Sequence, residues 1–291
     1  MTKLMMTMIA FVTLFMWAVF AKTGMQAQGG LTPQAYLPIV LSAEACAGSS
    51  NLIYTSGIAY QFDTDNPVRP AYNHADKNIE LRGYSTNTAS NLQKELIDYG
   101  SGDPTQPPQF ATLFSPYQVP PLSGFHQVHQ WNWASSPTPG QPAGPITAPK
   151  VTALSFNLDS GVPLYAPISG YDIGGGVEVI VIFADENTVT LHYTREDSAA
   201  KGYTVHIDQI CTDPSLLSLY NSLDQSNGAR YDYPSAEYNL PTLAAGQAFG
   251  TTSANDMVVA IADTGAYQDL RSCNEWWQIR PAYGGVCPAA Q

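Results

Sequence analysis

Val177-Glu-Val-Ile-Val-Ile-Phe183 is almost unbroken in apolar residues, and Thr188-Val-Thr-Leu-His-Tyr-Thr194 follows it across the turn Ala184-Asp-Glu-Asn187. The first run reads as a strand buried on both faces. The second repeats every two residues, with Val189, Leu191 and Tyr193 on one face and Thr190, His192 and Thr194 on the other. Together they predict a β-hairpin inside a sheet, which a helical bundle cannot accommodate. Tyr203 to Ile210 alternates in the same way and brings Thr204, His206 and Asp208 onto one face. Asp256 to Ala262 reads as a further apolar strand.

Composition extends this reading. Gly (23), Pro (22) and Tyr (17) are plentiful while charged residues make up only 12%, a mix that suits short strands and turns. The expected class is mainly β: antiparallel sheets, sandwich or open-barrel-like, with long Pro/Gly-rich loops and one or two short helices. One helix is predicted after Asp213-Pro214, an N-cap followed by Pro at N1, with Leu216, Leu217, Leu219, Tyr220 and Leu223 as its apolar set. In the more irregular region before residue 150, Asn78 to Tyr84 alternates as a half-buried strand would. Thr88 to Tyr99 reads as a short helix or strand. Phe125, Gln127, His129, Trp131 and Trp133 fall on one face of another strand.

The N-terminus carries Lys3, then an uncharged apolar run from Leu4 to Phe20, then small residues offering cleavage after Ala21 or Ala27. This is the pattern of a secretory signal peptide over 1–27; left uncleaved, it is the chain's expected membrane contact. Residues 28–50 read as a spacer. The region 51–150 reads as irregular and β-rich, and 151–291 as a second β region with a clamped tail; five prolines between Ser135 and Lys150 mark either a boundary or a loop within one domain. Cys46, Cys211, Cys273 and Cys287 show no close Cys-x-x-Cys pair. In an exported chain they are expected as disulfides, with Cys46–Cys211 and Cys273–Cys287 favoured among three connectivities. The balance of 12 basic against 24 acidic residues, a net charge of -12, repels phosphate backbones and argues against a nucleic-acid partner.

Val162-Pro-Leu-Tyr-Ala-Pro167 with Gly170, then Gly174-Gly-Gly176, Tyr203-Thr-Val-His206, Leu240 to Gly250 and Met257 to Ala262 follow one another in an order that resembles the lysostaphin/LytM-type (M23-like) peptidase domain. The resemblance covers roughly residues 151–270. It implies a compact antiparallel sheet domain and a zinc held by His and Asp of an H-x-x-x-D element and by the second His of an H-x-H element. The corresponding segments here, Leu154 to Asp159 and Asn255-Asp-Met257, contain no histidine. Hydrolytic zinc needs three protein ligands and one open position. His206 falls at a position that the resemblance makes catalytic rather than metal-binding.

The leading expectation is therefore an exported, non-catalytic envelope or extracellular binding or structural protein, with no cofactor and with a cell-wall or extracellular glycan, or an envelope protein, as partner. One alternative is a zinc-dependent cell-wall endopeptidase with displaced ligands drawn from His126, His129, His192, His206 and Asp208. A trio of His74, Asp76 and His126 is a further metal-site arrangement. Another alternative is a carbohydrate-binding protein that stacks sugars on Trp131 and Trp133 or on Trp276 and Trp277. Arg195, Glu196 and Asp197 gather charge in a charge-poor chain, and read either as a polar binding loop or as a solvated hairpin end with Arg195 bonded to a carboxylate. No G-x-S-x-G elbow and no P-loop ending are present.

Overall fold

Strands β7 (Val179–Ala184) and β8 (Val189–His192) form the hairpin that the paired runs predict, with Val181 opposite Leu191. All residues of both strands are buried, so the polar face of β8 is covered as completely as the apolar one. The structure is a computed structural model. It describes residues 46, 50–61, 69–97, 107–134, 138–226 and 237–278. The signal segment 1–27, most of the spacer and Cys287 lie outside the described residues.

The remaining strands are β1 (Thr55–Tyr60), β2 (Tyr84–Thr86), β3 (Leu122–Asn132), β4 (Gln141–Pro145), β5 (Ala153–Phe156), β6 (Pro163–Tyr165), β9 (Tyr203–Asp208), β10 (Ile210–Thr212), β11 (Glu237–Leu243), β12 (Ala248–Thr252), β13 (Met257–Asp263) and β14 (Ala266–Tyr267). Eleven strands make one sheet in the order β1-β11-β7-β8-β9-β13-β5-β3-β2, with β14 on β13 and β4 on β3. β10-β12-β6 make a second, three-stranded sheet. Neighbouring strands run antiparallel. The protein is thus mainly β and antiparallel, and among the described residues no barrel closes. Strands from both sides of the Pro-rich stretch share the large sheet: β1 pairs with β11, and β3 pairs with β5.

Period-two alternation divides the core. On β13, Val259 and Ile261 enter the larger cluster with Val181, Leu191, Val205 and Ile207. Val258, Ala260 and Ala262 enter a smaller cluster on the opposite face with Ile79, Val128 and Tyr267. Burying each large aliphatic side chain contributes on the order of 1.5–3 kcal/mol.

Three α-helices, α1 (Ile79–Arg82), α2 (Pro214–Ser226) and α3 (Cys273–Trp276), and two 3-10 turns, Ala71–Asn73 and Phe110–Leu113, complete the described part. α2 starts as its sequence predicts, with the Asp213 carboxylate accepting from the Ser215 and Leu216 N–H groups at 2.9 and 3.3 Å. α1 corrects an expectation. The alternating stretch from Asn78 to Tyr84 is a single helical turn leading into β2, not a strand. Asn78 Oδ1 caps it by accepting from Leu81 N–H at 3.1 Å, and Gly83 closes it at φ +79°. Caps at both ends outweigh four residues of alternation. No regular helix or strand forms over 88–97, although Leu92 is buried and Ile97 bridges to Ser272.

The Cys46–Cys211 disulfide is formed as expected, with Cα atoms 5.3 Å apart. Such a bond belongs to an oxidising, extracytoplasmic environment. Cys273 is buried at the start of α3 and is disulfide-bonded; its expected partner, Cys287, lies outside the described residues. Among the described residues no helix is long and apolar enough to cross a membrane.

Candidate functional site

The face shared by Thr190, His192, Thr204, His206 and Asp208 is a sealed polar layer rather than an open cleft. β8 and β9 carry it side by side, with Thr190 opposite His206 and His192 opposite Thr204. His206 is 1% exposed, and its Nδ1 and Nε2 lie 3.2 Å from Thr190 Oγ1 and 3.3 Å from Tyr267 OH. Thr190 donates its proton to Lys77 O at 2.7 Å. Thr190 therefore accepts from His206 Nδ1–H, which leaves Nε2 to accept from Tyr267, as a neutral imidazole requires. Burial first, then the Arg82 guanidinium and His192, push the His206 pKa down to about 3. His192 is held between Thr204 Oγ1 (2.9 Å) and Thr194 Oγ1 (2.8 Å). Burial, with Lys77 adding to it against the opposing charge of Asp197, takes its pKa down to about 4.

The carboxylates of this layer are equally engaged. Asp208 accepts from Tyr84 OH, Thr188 Oγ1 and Gln209 N–H, each at 2.8 Å. Asp197 pairs with Lys77 Nζ at 3.0 Å and accepts from Tyr238 OH. Sequence reasoning did not single out Lys77, Arg82, Tyr84 or Tyr267. Lys77, Arg82 and Tyr84 lie in or beside the stretch misread as a strand.

Arg195 and Glu196 are half-buried and Asp197 is buried, and each is engaged within the fold. Arg195 donates to the carbonyls of Ile173, Ile58 and Gly174, and so ties β1 to the glycine corner after residue 170. Its expected carboxylate partner is replaced by these backbone oxygens. Glu196 bridges to Tyr60 on the same seam. The tryptophans also depart from a stacking platform. Trp276 and Trp277 are 1% and 0% exposed, in the main core. Trp131 is buried and donates to Pro139 O, while Trp133 is 46% exposed and meets it at 67° rather than coplanar. Trp133 instead packs on Arg69 and His74.

The segments that the resemblance would give to zinc ligands do meet. β5 and β13 pair, with Phe156 opposite Met257, so Asn157 and Asp256 flank the same sheet end. There Asn157 Nδ2 donates to Asp256 Oδ1 at 2.8 Å. Ser123 also bonds Asp256, and these two donors hold its pKa below the usual carboxylate range. Ser123 Oγ lies 3.0 Å from Ser155 Oγ, which lies 3.0 Å from His126 Nε2. His126 Nδ1 is buried without a hydrogen-bond partner, and burial lowers the His126 pKa despite the nearby charge of Asp256. These residues do not fit zinc. The spacing of the two elements puts Ser155 and the buried Met257 where imidazoles are needed, and the reachable nitrogen of His126 is directed to Ser155.

His129 sits over α1, where its carbonyl accepts from Arg82 Nε at 2.8 Å. Asp76 is ion-paired to Arg82, and His74 Nδ1 accepts from Asp76 N–H at 3.3 Å. Among the described residues no three His, Cys, Asp or Glu side chains gather about a common point. Neither a protein-family model, nor a curated protein, nor a solved structure matches the chain.

Proposed function

We propose that this chain is an exported, non-catalytic binding or structural protein of the cell envelope or extracellular space, on an M23-like scaffold without the metal centre. The observation that supports the reading is how the paired β5 and β13 ends are engaged: Ser155 Oγ meets Ser123 and His126, Met257 is buried in the core, and Asn157 Nδ2 donates to Asp256 Oδ1 at 2.8 Å. Four of the motif glycines support it: Gly174, Gly175, Gly176 and Gly246 take positive φ, as sharp corners require. The closed polar layer around His206 supports it as well, because a substrate atom has no path to that imidazole. The partner is a cell-wall or extracellular glycan, or another envelope protein.

The test is metal content and turnover on one preparation. Protein purified from an oxidising host, dialysed and analysed by elemental mass spectrometry should hold no stoichiometric zinc. It should leave isolated cell walls and glycine-rich cross-bridge peptides uncut, while sedimenting with the walls. One zinc per chain together with chelator-sensitive cleavage would replace this reading with the displaced-ligand endopeptidase.

A further inference from the structure

A cavity of about 450 Å³ opens between three loops, lined by Asn91, Leu92, Gln93, Ile97, Pro149, Lys150, Asp269 and Arg271. It lies apart from the β8–β9 polar layer and from the Asn157–Asp256 locus. Its chemistry is unusual for this chain, which has only 12 cations and a net charge of -12. Two of those cations line one cavity, against a single carboxylate.

The two cations differ in their freedom. Arg271 is 4% exposed and fixed. Its Nε and Nη2 meet the Asp269 carboxylate at 2.9 and 2.6 Å, and its Nη1 donates to Gln93 O at 2.7 Å. Lys150 is exposed, and only its backbone oxygen is engaged, by Asn87 Nδ2 at 2.8 Å. Its ammonium meets no carboxylate among the described residues. Asn91 and Gln93, both exposed, line the same opening, with one Gln93 Nε2 hydrogen already donated to Glu95 Oε1 at 2.8 Å, and Leu92 and Ile97 supply an apolar wall. A free ammonium and two amides around an apolar wall, beside a guanidinium already paired to Asp269, suit a small polar molecule with one negative group.

We infer that this cavity binds a small carboxylate-bearing solute, with Lys150 as the ion-pairing group and Asn91 and Gln93 as hydrogen-bonding groups. A sugar acid and a peptide C-terminus share that chemistry. The inference does not depend on the proposed function, since a chain that cleaved cell walls would keep the same cavity.

The full chain, labelled with ¹⁵N, is titrated with glucuronate, with N-acetylalanine and with glucose. Saturable shifts of the Asn91 and Gln93 side-chain amides are expected with at least one of the two carboxylates, and none with glucose. The tighter carboxylate identifies the source. Lys150→Ala should weaken that binding about fivefold, as loss of an exposed ion pair does, and Lys150→Glu should abolish it. Because Lys150 is exposed, both variants should keep the wild-type Tm. Raising the salt from 0.05 to 0.5 M should weaken binding in the wild type more than in Lys150→Ala. Absence of saturable shifts with both acids, equal binding of glucose, or unchanged affinity in Lys150→Ala would each overturn the assignment.

Discussion

His192 and His206 are kept neutral by a folded environment that buries both rings and offers each two hydrogen-bonding partners. An unfolded imidazole takes up a proton around pH 6.5. The folded rings stay neutral down to about 4 and about 3. Below pH 6.5 the unfolded chain therefore binds more protons, and stability falls with pH through that window, by about 1.4 kcal/mol per pH unit for each ring. Thermal melts between pH 7 and pH 5 should show a steady loss, and His192→Gln should lose less over the same interval. An equal loss in the variant would assign the acid sensitivity elsewhere. The sequence disclosed that Thr204, His206 and Asp208 share a face, because strand alternation is local. It did not disclose what covers that face. Lys77 and Asp197 are 120 positions apart and meet only after the sheet has formed.

At the scale of elements, legibility follows how locally each element is determined. The β7–β8 hairpin and the start of α2 were readable because a turn and a cap are contained within a few residues. Asn78–Arg82 was misread because its alternation is also a local signal, and the two caps at its ends decide the outcome. The polar roles of Arg195 were not readable at all, since its partners Ile58 and Gly174 come from elsewhere in the chain. One glycine has a consequence that can be measured. At Gly250, a Cβ would stand 2.6 Å from Cys211 O, where β12 passes β10. Backbone cannot retreat as a side-chain tip can, so Gly250→Ala should destabilise by about 1–3 kcal/mol. Urea denaturation measures this, and Gly144→Ala, at a position with open space around it, is the control expected to change little.

At the scale of the molecule, the Cys46–Cys211 bond closes a separation of 165 residues. Restricting so long a loop in the unfolded chain contributes about 5 kcal/mol in the chain-entropy description, and native disulfides commonly contribute about 2–5 kcal/mol. Reduction, which also opens the bond of Cys273, should lower the melting temperature clearly, and Cys46→Ser with Cys211→Ser should give a substantial part of that shift without reductant. A melting temperature indifferent to both would leave the bond without a stabilising role. The strand order also settles how the chain must be assembled. β13, Met257–Asp263, sits between β9 and β5 and ladders to both. Until it is in place, the β7-β8-β9 and β5-β3-β2 groups each present an unpaired edge. Synthesis delivers this keystone strand after both groups it joins. A chain of this topology gathers non-local contacts late and folds slowly, and a nascent polypeptide halted before Met257 would carry two sticky borders into a crowded compartment, where a holding chaperone would have the most to offer.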